Sequence, residues 1–340
     1  SAVKERHVLD GFFHDTLGEA NREGAVGLAR GFILRQFDEP SPAVDMGDAD
    51  KRGATYEESQ ALAASLPANS LRHWYWKLYR GMLNFGVKIS EGLSLGRRTG
   101  FDSGSTLDYV YRNEAKGMGP IGRFVDRNYL NAIGWRGIRQ RKVHLEELLR
   151  GAMTRLRADG REVRVLDIAA GHGRYVIDAL MAEGTPPDSV VLRDYSDINV
   201  RDGGRLIEER GLGNVARFVK GDAFDTESVA NAQPGTTVGI VSGLYELIPS
   251  NEMIRASLAG MARAVEPGGY LIYTGQPWHP QLEMIARALT SHRAGEAWVM
   301  RRRTQAEMDQ LVREAGFEKI EQRIDEWGIF TVSIARRLPA

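Results

Sequence analysis

A glycine turn after a short apolar run is the part of this 340-residue sequence best suited to hold a ligand. Residues 163–168 have the length and apolar character of a buried strand, and residues 175–181 place apolar side chains at helical spacing. Gly171 and Gly173 lie between the two segments and leave the backbone bare, so that a ligand can approach closely. A strand, a glycine turn and a helix amino terminus together predict a small-molecule site at the carboxyl end of a parallel sheet.

Two classes of ligand use such a turn. A dinucleotide site prefers a third glycine that lets the helix pack on the strand, and this sequence has Val176 at that position. The other pattern is an acid at the strand end followed by x-x-x-Gly-x-Gly, which Asp167, Gly171 and Gly173 satisfy. This second pattern resembles motif I of class I S-adenosylmethionine-dependent methyltransferases. An NAD-dependent oxidoreductase remains the alternative, weakened by the missing glycine.

The next two predicted strands also end in acids. Residues 190–194 end in Asp194, about 20 residues after the glycine turn, where a carboxylate suits ribose hydroxyls. Asp197 is the competing acid, and its other role would be a helix cap. Residues 216–224 predict strand three and contain Asp222. In the family that this sequence resembles, the corresponding acid lies near the adenine amino group, and the next backbone amide lies close to the ring.

The fourth and fifth strands are predicted at 238–246 and 265–273, the latter with a Pro-Gly-Gly turn similar to that of the family. The resemblance, which covers roughly residues 140–340, implies an α/β fold of the Rossmann-like class I methyltransferase type. We therefore expect a mostly parallel seven-stranded sheet with one antiparallel strand and a helical amino-terminal cap. The resemblance also implies S-adenosylmethionine as the cofactor. The implied cofactor contacts in the sheet domain are Asp167, Ala169, Gly171, His172, Gly173, Asp194, Tyr195, Asp222, Ala223, Phe224, Ser242 and Gly243.

Class I methyltransferases commonly cover the cofactor with helices that precede strand one. By that resemblance Tyr109, Tyr111, Tyr129 and Arg139 are candidate lid contacts, and Tyr129 and Arg139 are the two assigned to the cofactor. An aromatic face suits a sulfonium cation, and an arginine suits the carboxylate of the methionine part. The alternative is that the tyrosines are packing residues and the arginines lie on a solvated helix face.

Methyl transfer from a sulfonium needs no metal, but a base helps when the acceptor carries a proton. The candidate catalytic residues are Glu246 and Tyr245 after strand four and His279 after strand five, with Glu246 the best placed by the resemblance. His172 is a fourth candidate, with a backbone or a cofactor-side role as its alternatives. The seven histidines are scattered and cysteine is absent, so no metal site is expected.

The overall charge indicates no bulk affinity for nucleic acid. Lys plus Arg and Asp plus Glu each number 45, so the net charge is near zero. We therefore expect no DNA partner and do not favour RNA. The beginning of the sequence has no signal-peptide character and no apolar run reaches spanning length, which indicates a cytoplasmic protein.

The amino-terminal segment has a second resemblance. Residues 8–37 resemble the last segment of an α/β-hydrolase, in which a histidine such as His14 completes the catalytic triad. A lone histidine cannot perform triad chemistry, so we interpret residues 1–37 as a helical remnant and an α/β-hydrolase domain as a potential fusion partner. An ordinary terminal helix is the alternative. Residues 38–56 are polar and small and predict a linker.

Residues 57–142 predict a helical cap and residues 143–340 the methyltransferase domain. The segment 71–95 combines aromatic and basic side chains. It is either a helix that meets a lipid surface or a fatty substrate, or one whose aromatics are buried against the sheet domain. We favour the buried interpretation, because aromatic stripes usually belong to a core.

These observations predict methyl transfer from S-adenosylmethionine to a small-molecule or lipid-like acceptor by in-line displacement, with peripheral membrane contact as a further expectation. The resemblance is to bacterial methyltransferases found fused to α/β-hydrolase domains. The alternatives are the NAD-dependent oxidoreductase, a non-catalytic module that only binds the cofactor, and an RNA methyltransferase.

Overall fold

The computed structural model describes residues 4–38, 44–293 and 295–339. The chain divides into two units, Ser1–Asp45 and Met46–Ala340. In the first unit a series of turns leads into helix α1, Arg22–Asp38. Arg35 of this helix pairs with Glu5 at 2.8 Å, which ties the start of the described segment to the helix. His14 lies exposed in a bend, and the hydrolase resemblance of this unit stays a hypothesis.

The second unit begins with a segment that packs against the sheet domain. Residues 39–43 of the predicted linker lie outside the described residues. Asp50 accepts a hydrogen bond from the backbone of Asn251 at 2.7 Å, and the Ala49 carbonyl accepts one from Arg301 at 3.1 Å. The prediction of a linker is therefore wrong for residues 46–56, because long-range hydrogen bonds fix this segment.

The cap is helical, as predicted. Its helices are α2 (Ala54–Ala63), α3 (Leu71–Gly86), α4 (Glu91–Thr99), α5 (Gly104–Arg112) and α6 (Gly119–Leu130). Serines cap α3, α4 and α5, each accepting a hydrogen bond from the backbone N–H three residues later. The buried carboxylate of Asp126 joins three of these helices, because it accepts hydrogen bonds from Ser90 Oγ at 2.6 Å, from Gly92 N at 2.8 Å and from the Tyr109 hydroxyl.

Helix α7, Ile133–Ala158, belongs to both the cap and the sheet domain. The predicted domain boundary at residue 142 falls inside this continuous helix, so the structure does not separate the two regions there. The inward face of α7 carries buried side chains at intervals of three or four residues. These include Trp135, Ile138, Arg141, Leu145, Leu148, Ala152 and Leu156.

The described strands form a seven-stranded sheet in the order β3-β2-β1-β4-β5-β7-β6. They are β1 (Arg164–Ile168), β2 (Ser189–Asp194), β3 (Ala216–Lys220), β4 (Thr236–Val241), β5 (Val265–Gly275), β6 (Phe317–Ile324) and β7 (Thr331–Arg337). Strand β7 pairs antiparallel with β5 and β6, and the pairs among β1 to β5 are parallel. The predicted fold class is confirmed.

Helices cover both faces of this sheet. They are α7 together with α8 (Arg174–Ala182), α9 (Asp197–Glu209), α10 (Thr226–Ala230), α11 (Asn251–Ala264), α12 (Leu282–Ala288) and α13 (Gln305–Glu314). One apolar cluster contains Leu149 and Ile240, a second contains Leu166 and Leu258, and neighbouring strand residues alternate between the two. A third cluster joins Ile138 to side chains of the cap and of α12. The cap is thus held by its own apolar core.

The structure of helix α3 differs from the interpretation that its aromatic side chains are buried. Trp76 is buried, but Trp74, Tyr75, Met82 and Phe85 are exposed by 55 to 67%. The prediction that the aromatic and apolar side chains of this segment face the core is therefore wrong for most of α3.

Candidate active site

A cavity of about 780 Å³ lies where β1, β2 and β4 end. We call it the strand-end cavity. It lies at the edge where the parallel strands of an open α/β sheet present their carboxyl ends. The structure brings most of the predicted cofactor contacts to its walls. They are Ala169, Gly171, His172, Gly173, Asp194, Tyr195, Asp222, Ala223, Phe224, Ser242 and Gly243.

The glycine turn at this cavity needs left-handed backbone conformations. Gly171 has a φ of +60° and Gly173 a φ of +69°. A Cβ on Gly173 would lie 2.5 Å from Leu192 Cδ1, so this position accepts no side chain. Ala169 adopts a φ of +56° although it is not glycine, a conformation that costs of order 1 kcal/mol. The surrounding structure therefore holds this loop in a conformation that leaves its backbone facing the cavity.

Asp194 is the acid of β2 that faces the cavity. Its carboxylate accepts hydrogen bonds from the backbone N–H groups of Gly171 and Ser196, each at 2.9 Å. Burial raises the pKa of Asp194, although these hydrogen bonds work in the opposite direction. The competing acid, Asp197, is exposed as the first residue of α9 and pairs with Lys220 at 2.8 Å. Of the two acids, Asp194 is the one placed to bind a ligand.

Asp167 is not placed as predicted. It is fully buried in β1, and the walls of the strand-end cavity, as far as the described residues go, do not include it. The Tyr175 hydroxyl donates to its carboxylate at 2.5 Å. Burial raises the pKa of Asp167 well above its ordinary value. We therefore assign Asp167 to the sheet interior and correct its assignment as a cofactor contact.

Helix α5 covers the glycine turn. A Cβ on Gly171 would lie 3.3 Å from Gly104 Cα at the start of this helix. Asp108 of α5 accepts a hydrogen bond from Arg174 Nε at 2.5 Å and lies 3.8 Å from His172 Nδ1. Burial alone would raise the pKa of Asp108, but the interactions with His172 and Arg174 lower it to about 2. Sequence reasoning missed Asp108 and Arg174, because neither occupies a position that the motifs specify.

The predicted lid tyrosines lie in different parts of the structure. Tyr111 lines the strand-end cavity. Tyr109 instead donates its hydroxyl to Asp126 within the cap, so its assignment as a lid contact is corrected. Tyr129 lines a second cavity and not the first. Arg139 donates to the Leu130 carbonyl at 2.8 Å, at the end of α6, and the described walls of both cavities lack it. The assignments of Tyr129 and Arg139 to the cofactor are therefore corrected as well.

The second cavity has a volume of about 310 Å³ and mostly apolar walls, and we call it the apolar cavity. Its walls include Leu83, Leu93, Val125, Trp135, Ile138, Met284, Ile285, Trp298, Met300 and Phe330. Five residues line both cavities, namely Asp102, Leu107, Arg141, Gly243 and Leu247. The two cavities therefore adjoin, and a molecule in one can present an atom to a molecule in the other.

Arg141 and Glu246 form a buried ion pair at this junction. Arg141 Nη1 lies 3.5 Å from Glu246 Oε1, and the two residues are 3% and 7% exposed. Neither carboxylate oxygen of Glu246 has a hydrogen-bond partner among the described residues. Burial lowers the pKa of Arg141, but the interactions with Tyr111 and Glu246 outweigh burial and raise it. A buried carboxylate without hydrogen bonds is costly, which is typical of a group that serves a ligand.

The other two candidate bases are less suited to that role. Tyr245 is buried in the core, where its hydroxyl donates to Ser257 Oγ at 3.0 Å, so its assignment as a catalytic residue is corrected. His279 lines the apolar cavity, and its Nδ1 accepts a hydrogen bond from the backbone of Gln281 at 3.0 Å. Burial lowers the pKa of His279 to about 4. The neutral ring must then hold its proton on Nε2, so His279 presents a hydrogen-bond donor and not a base.

Comparison with known proteins identifies the family. Residues 29–337 match a protein family described as "Putative methyltransferase". The chain belongs to this methyltransferase family. It is 54% identical over 338 residues to a protein of Escherichia coli K12 described as "Uncharacterized protein YnbC". That alignment covers 99% of this chain and 57% of the E. coli protein, so the chain spans little more than half the length of this relative.

One solved structure shares the fold, and a second is more distantly similar. A structure from Bordetella parapertussis, of a protein described as possibly exported, is 18% identical with a TM-score of 0.61, and the alignment covers 88% of this chain and all of that one. Magnesium protoporphyrin IX methyltransferase from Synechocystis, solved with bound SAH, is 18% identical with a TM-score of 0.46, covering 72% of this chain and 98% of that one. No helix among the described residues of the methyltransferase is long and apolar enough to cross a membrane.

The strand-end cavity fits S-adenosylmethionine, the cofactor that the resemblance of the sequence implies. Asp194 presents a carboxylate for the ribose hydroxyls, and the bare backbone at Gly171 permits close approach. The hydroxyl of Ser242 faces the cavity without a hydrogen-bond partner in the described part of the chain, so it is available to a polar group of the ligand. Phe224 supplies an apolar surface for a planar base.

Proposed function

We propose that this methyltransferase acts on a largely apolar acceptor, a small molecule or a lipid-like one, whose reacting atom lies beside Glu246. The observation that supports this proposal is the junction of the two cavities at Arg141 and Gly243, where Glu246 of the apolar cavity pairs with Arg141. Apolar walls favour an apolar body by removing it from water, at roughly 25 cal/mol for each Å² of buried apolar surface. A charged RNA strand would gain nothing from these walls, so the RNA alternative loses support.

The side chains at the junction can position the acceptor and take its proton. When bound, S-adenosylmethionine supplies an electrophilic methyl group, and we infer transfer by in-line displacement. Glu246 accepts the proton of an acceptor hydroxyl or ammonium group, and Arg141 then remains beside a neutral carboxyl. His279 Nε2–H donates to a second polar atom of the acceptor. The apolar walls exclude water from the reacting atoms.

The experiment follows a labelled methyl group. The protein is incubated with methyl-labelled S-adenosylmethionine and three separate substrate pools: organic-soluble extract, aqueous metabolites and total RNA. We expect label in the organic-soluble pool. The variant Met284→Trp, which fills the apolar cavity, should lower that labelling at least about tenfold while cofactor affinity by calorimetry stays unchanged.

Other outcomes decide against the proposal. Label in RNA or in aqueous metabolites that is insensitive to Met284→Trp would overturn the apolar acceptor. Cofactor binding without label in any of the three pools would favour the non-catalytic module. Met284 is only half-buried, so the larger side chain is compatible with folding.

A further inference from the structure

Helix α3 carries two apolar faces, whereas packing in the cap needs only one. Its inward side chains include Trp76, which donates to Glu283 at 3.1 Å, and Tyr79 and Leu83, which line the apolar cavity. The outward face is a narrow stripe at intervals of three, four and seven residues. It consists of Leu71, Trp74, Tyr75, Leu78, Met82 and Phe85, exposed by 55 to 90%. The helix therefore presents apolar side chains to solvent as well as to the cap, and this outward stripe remains exposed.

Helix α6 also presents exposed apolar side chains. Ile121 and Phe124 are 73% and 66% exposed, and Met118 at its amino-terminal cap is 69% exposed. The amino terminus of α6 lies beside the segment that follows α3, because Met118 N donates to the Ile89 carbonyl at 2.8 Å. We call these nine exposed side chains of α3 and α6 the outer apolar face. Contiguous exposed apolar patches on soluble domains mark interaction sites.

The exposed charges that α3 and α6 themselves carry are positive. Helix α3 contains no acidic residue, and the single acid of α6, Asp126, is fully buried. Lys77 Nζ lies 4.4 Å from the centre of the Trp74 ring on α3, and Arg123 and Arg127 are exposed on α6. Aromatic and aliphatic side chains rimmed by cations are typical of helices that lie in the plane of a membrane surface.

The apolar cavity lies directly beneath this face. Tyr79 and Leu83 of α3, and Val125, Asn128 and Tyr129 of α6, all form part of its wall. Asn128 is exposed, so the cavity reaches the surface beside α6. An apolar molecule that leaves a bilayer at the outer apolar face therefore has a short route to Glu246.

We propose that the outer apolar face docks on the surface of an anionic lipid bilayer, from which the acceptor enters the apolar cavity. Only the delivery of the acceptor rests on the proposed function, and the docking does not. A second copy of the chain suits the face less well than a bilayer does. In a twofold pair the cations of one copy would meet those of the other, whereas anionic headgroups complement them.

The experiment is vesicle flotation of the protein with S-adenosylmethionine present. One set of vesicles is phosphatidylcholine alone, and the other contains phosphatidylglycerol as well. We expect binding to the anionic vesicles, weaker at high salt, and at least about tenfold weaker in the triple variant Leu78→Ser, Met82→Ser, Phe85→Ser. The matched control is Ile320→Ser with Ile324→Ser, which removes apolar side chains of 46% and 55% exposure from the edge strand β6 and should bind as the wild type does.

The outcomes separate docking from chemistry. Cofactor affinity measured by calorimetry verifies that each variant folds. Absence of vesicle binding, or binding that the triple variant retains, overturns the docking. A wild-type dimer that the triple variant converts to a monomer, without vesicle binding, assigns the face to a second copy instead. Vesicle binding without methyl transfer to any lipid leaves the docking standing and contradicts the lipid-like acceptor alone.

Discussion

The two cavities of this methyltransferase are built from different kinds of structure. Most of the strand-end cavity is formed by loops that directly follow β1, β2, β3 and β4, whose positions the sheet fixes, and side chains of α4 and α5 cover it. The apolar cavity is formed by side chains of α3, α6, α7 and α12 and of the segments between and after them. Short sequence motifs therefore predict the loops of the strand-end cavity. The apolar cavity depends on which face of each helix turns inward, and a local motif does not contain that information.

The largest expected effect is on the rate of methyl transfer, and it comes from a substitution at the junction between the cavities. Replacing Glu246 with Gln keeps the size of the side chain and removes its ability to take a proton. We expect methyl transfer to slow by roughly 10²- to 10⁴-fold, with cofactor affinity nearly unchanged, because loss of a general base acts on the chemical step. Single-turnover rates with labelled cofactor and the organic-soluble pool measure this.

The control for this prediction is Glu252→Gln, an exposed carboxylate of α11 that should leave the rate unchanged. A Glu246→Gln rate within about threefold of the wild type would remove Glu246 as the base. An equal loss in cofactor affinity would show that the ion pair with Arg141 serves the strand-end cavity instead.

The sheet and most of the strand-end cavity could be predicted from the sequence, because apolar runs, glycine turns and terminal acids are local signals. Arg139 and Arg141 show where this reasoning stops. Arg141 shares the three- and four-residue spacing of Trp135, Ile138 and Leu145, which marks the inward face of α7, and Arg139 does not. Attention to that spacing would have selected Arg141. No comparable signal distinguishes Asp167, since the same motif predicts a strand-end acid whether its carboxylate points to the cavity or to the core.

The exposed stripe of α3 could not be predicted for a related reason. Its sequence has apolar side chains on two faces, and periodicity alone does not say which face packs on α12. Trp76 and Tyr79 turn inward, whereas Trp74 and Tyr75 turn outward. The outcome depends on contacts with segments more than 200 residues away, such as the hydrogen bond from Trp76 to Glu283.

The next largest expected effect is on the free energy of unfolding, and it comes from protonation of His279 in the apolar cavity. Its pKa is lowered from 6.5 to about 4 by burial, so the unfolded chain binds a proton more readily than the folded one between these values. The stability that this difference provides is fully present above about pH 6.5 and is lost as the pH falls toward 4. The free energy of unfolding should fall by about 3 kcal/mol over that range from this group.

The measurement compares wild type with His279→Gln, which retains an acceptor for the Gln281 N–H. Chemical denaturation of both proteins from pH 8 to pH 4 isolates the histidine, because other groups titrate equally in both. The wild type should lose stability more steeply on acidification. Parallel pH profiles would show that His279 is accessible to protons in the folded state.

A substitution of Asp194 tests whether the strand-end cavity binds the cofactor. Replacing Asp194 with Asn keeps the size of the side chain, leaves one oxygen where two accept from the Gly171 and Ser196 N–H groups, and removes the charge that would hold ribose hydroxyls. We expect the dissociation constant for S-adenosylmethionine to rise by about 10- to 100-fold, as for loss of one or two charge-assisted hydrogen bonds. Titration calorimetry measures it.

Asp167→Asn is the matched control for Asp194→Asn, since the two acids end neighbouring strands. Burial raises the pKa of Asp167, so the folded state binds its proton more tightly than the unfolded state does. Stability is therefore lost as the pH rises above the ordinary value for an aspartate, and Asp167→Asn should reduce that loss. Cofactor affinity should not change. A weaker affinity in Asp167→Asn would return Asp167 to the cofactor site.

Arg139 gives the smallest expected effect and separates the two arginines of α7. Its guanidinium donates to the Leu130 carbonyl at the end of α6, so Arg139→Ala should cost about 1 kcal/mol of stability, as for one hydrogen bond. Cofactor affinity and transfer rate should stay unchanged, as in Arg136→Ala, which removes a neighbouring exposed arginine of the same helix. A tenfold weaker cofactor affinity in Arg139→Ala alone would instead place this arginine at the methionine carboxylate when ligand is bound. The cap would then supply a direct cofactor contact to the strand-end cavity as well as part of its wall, and the contrast between the two cavities would narrow.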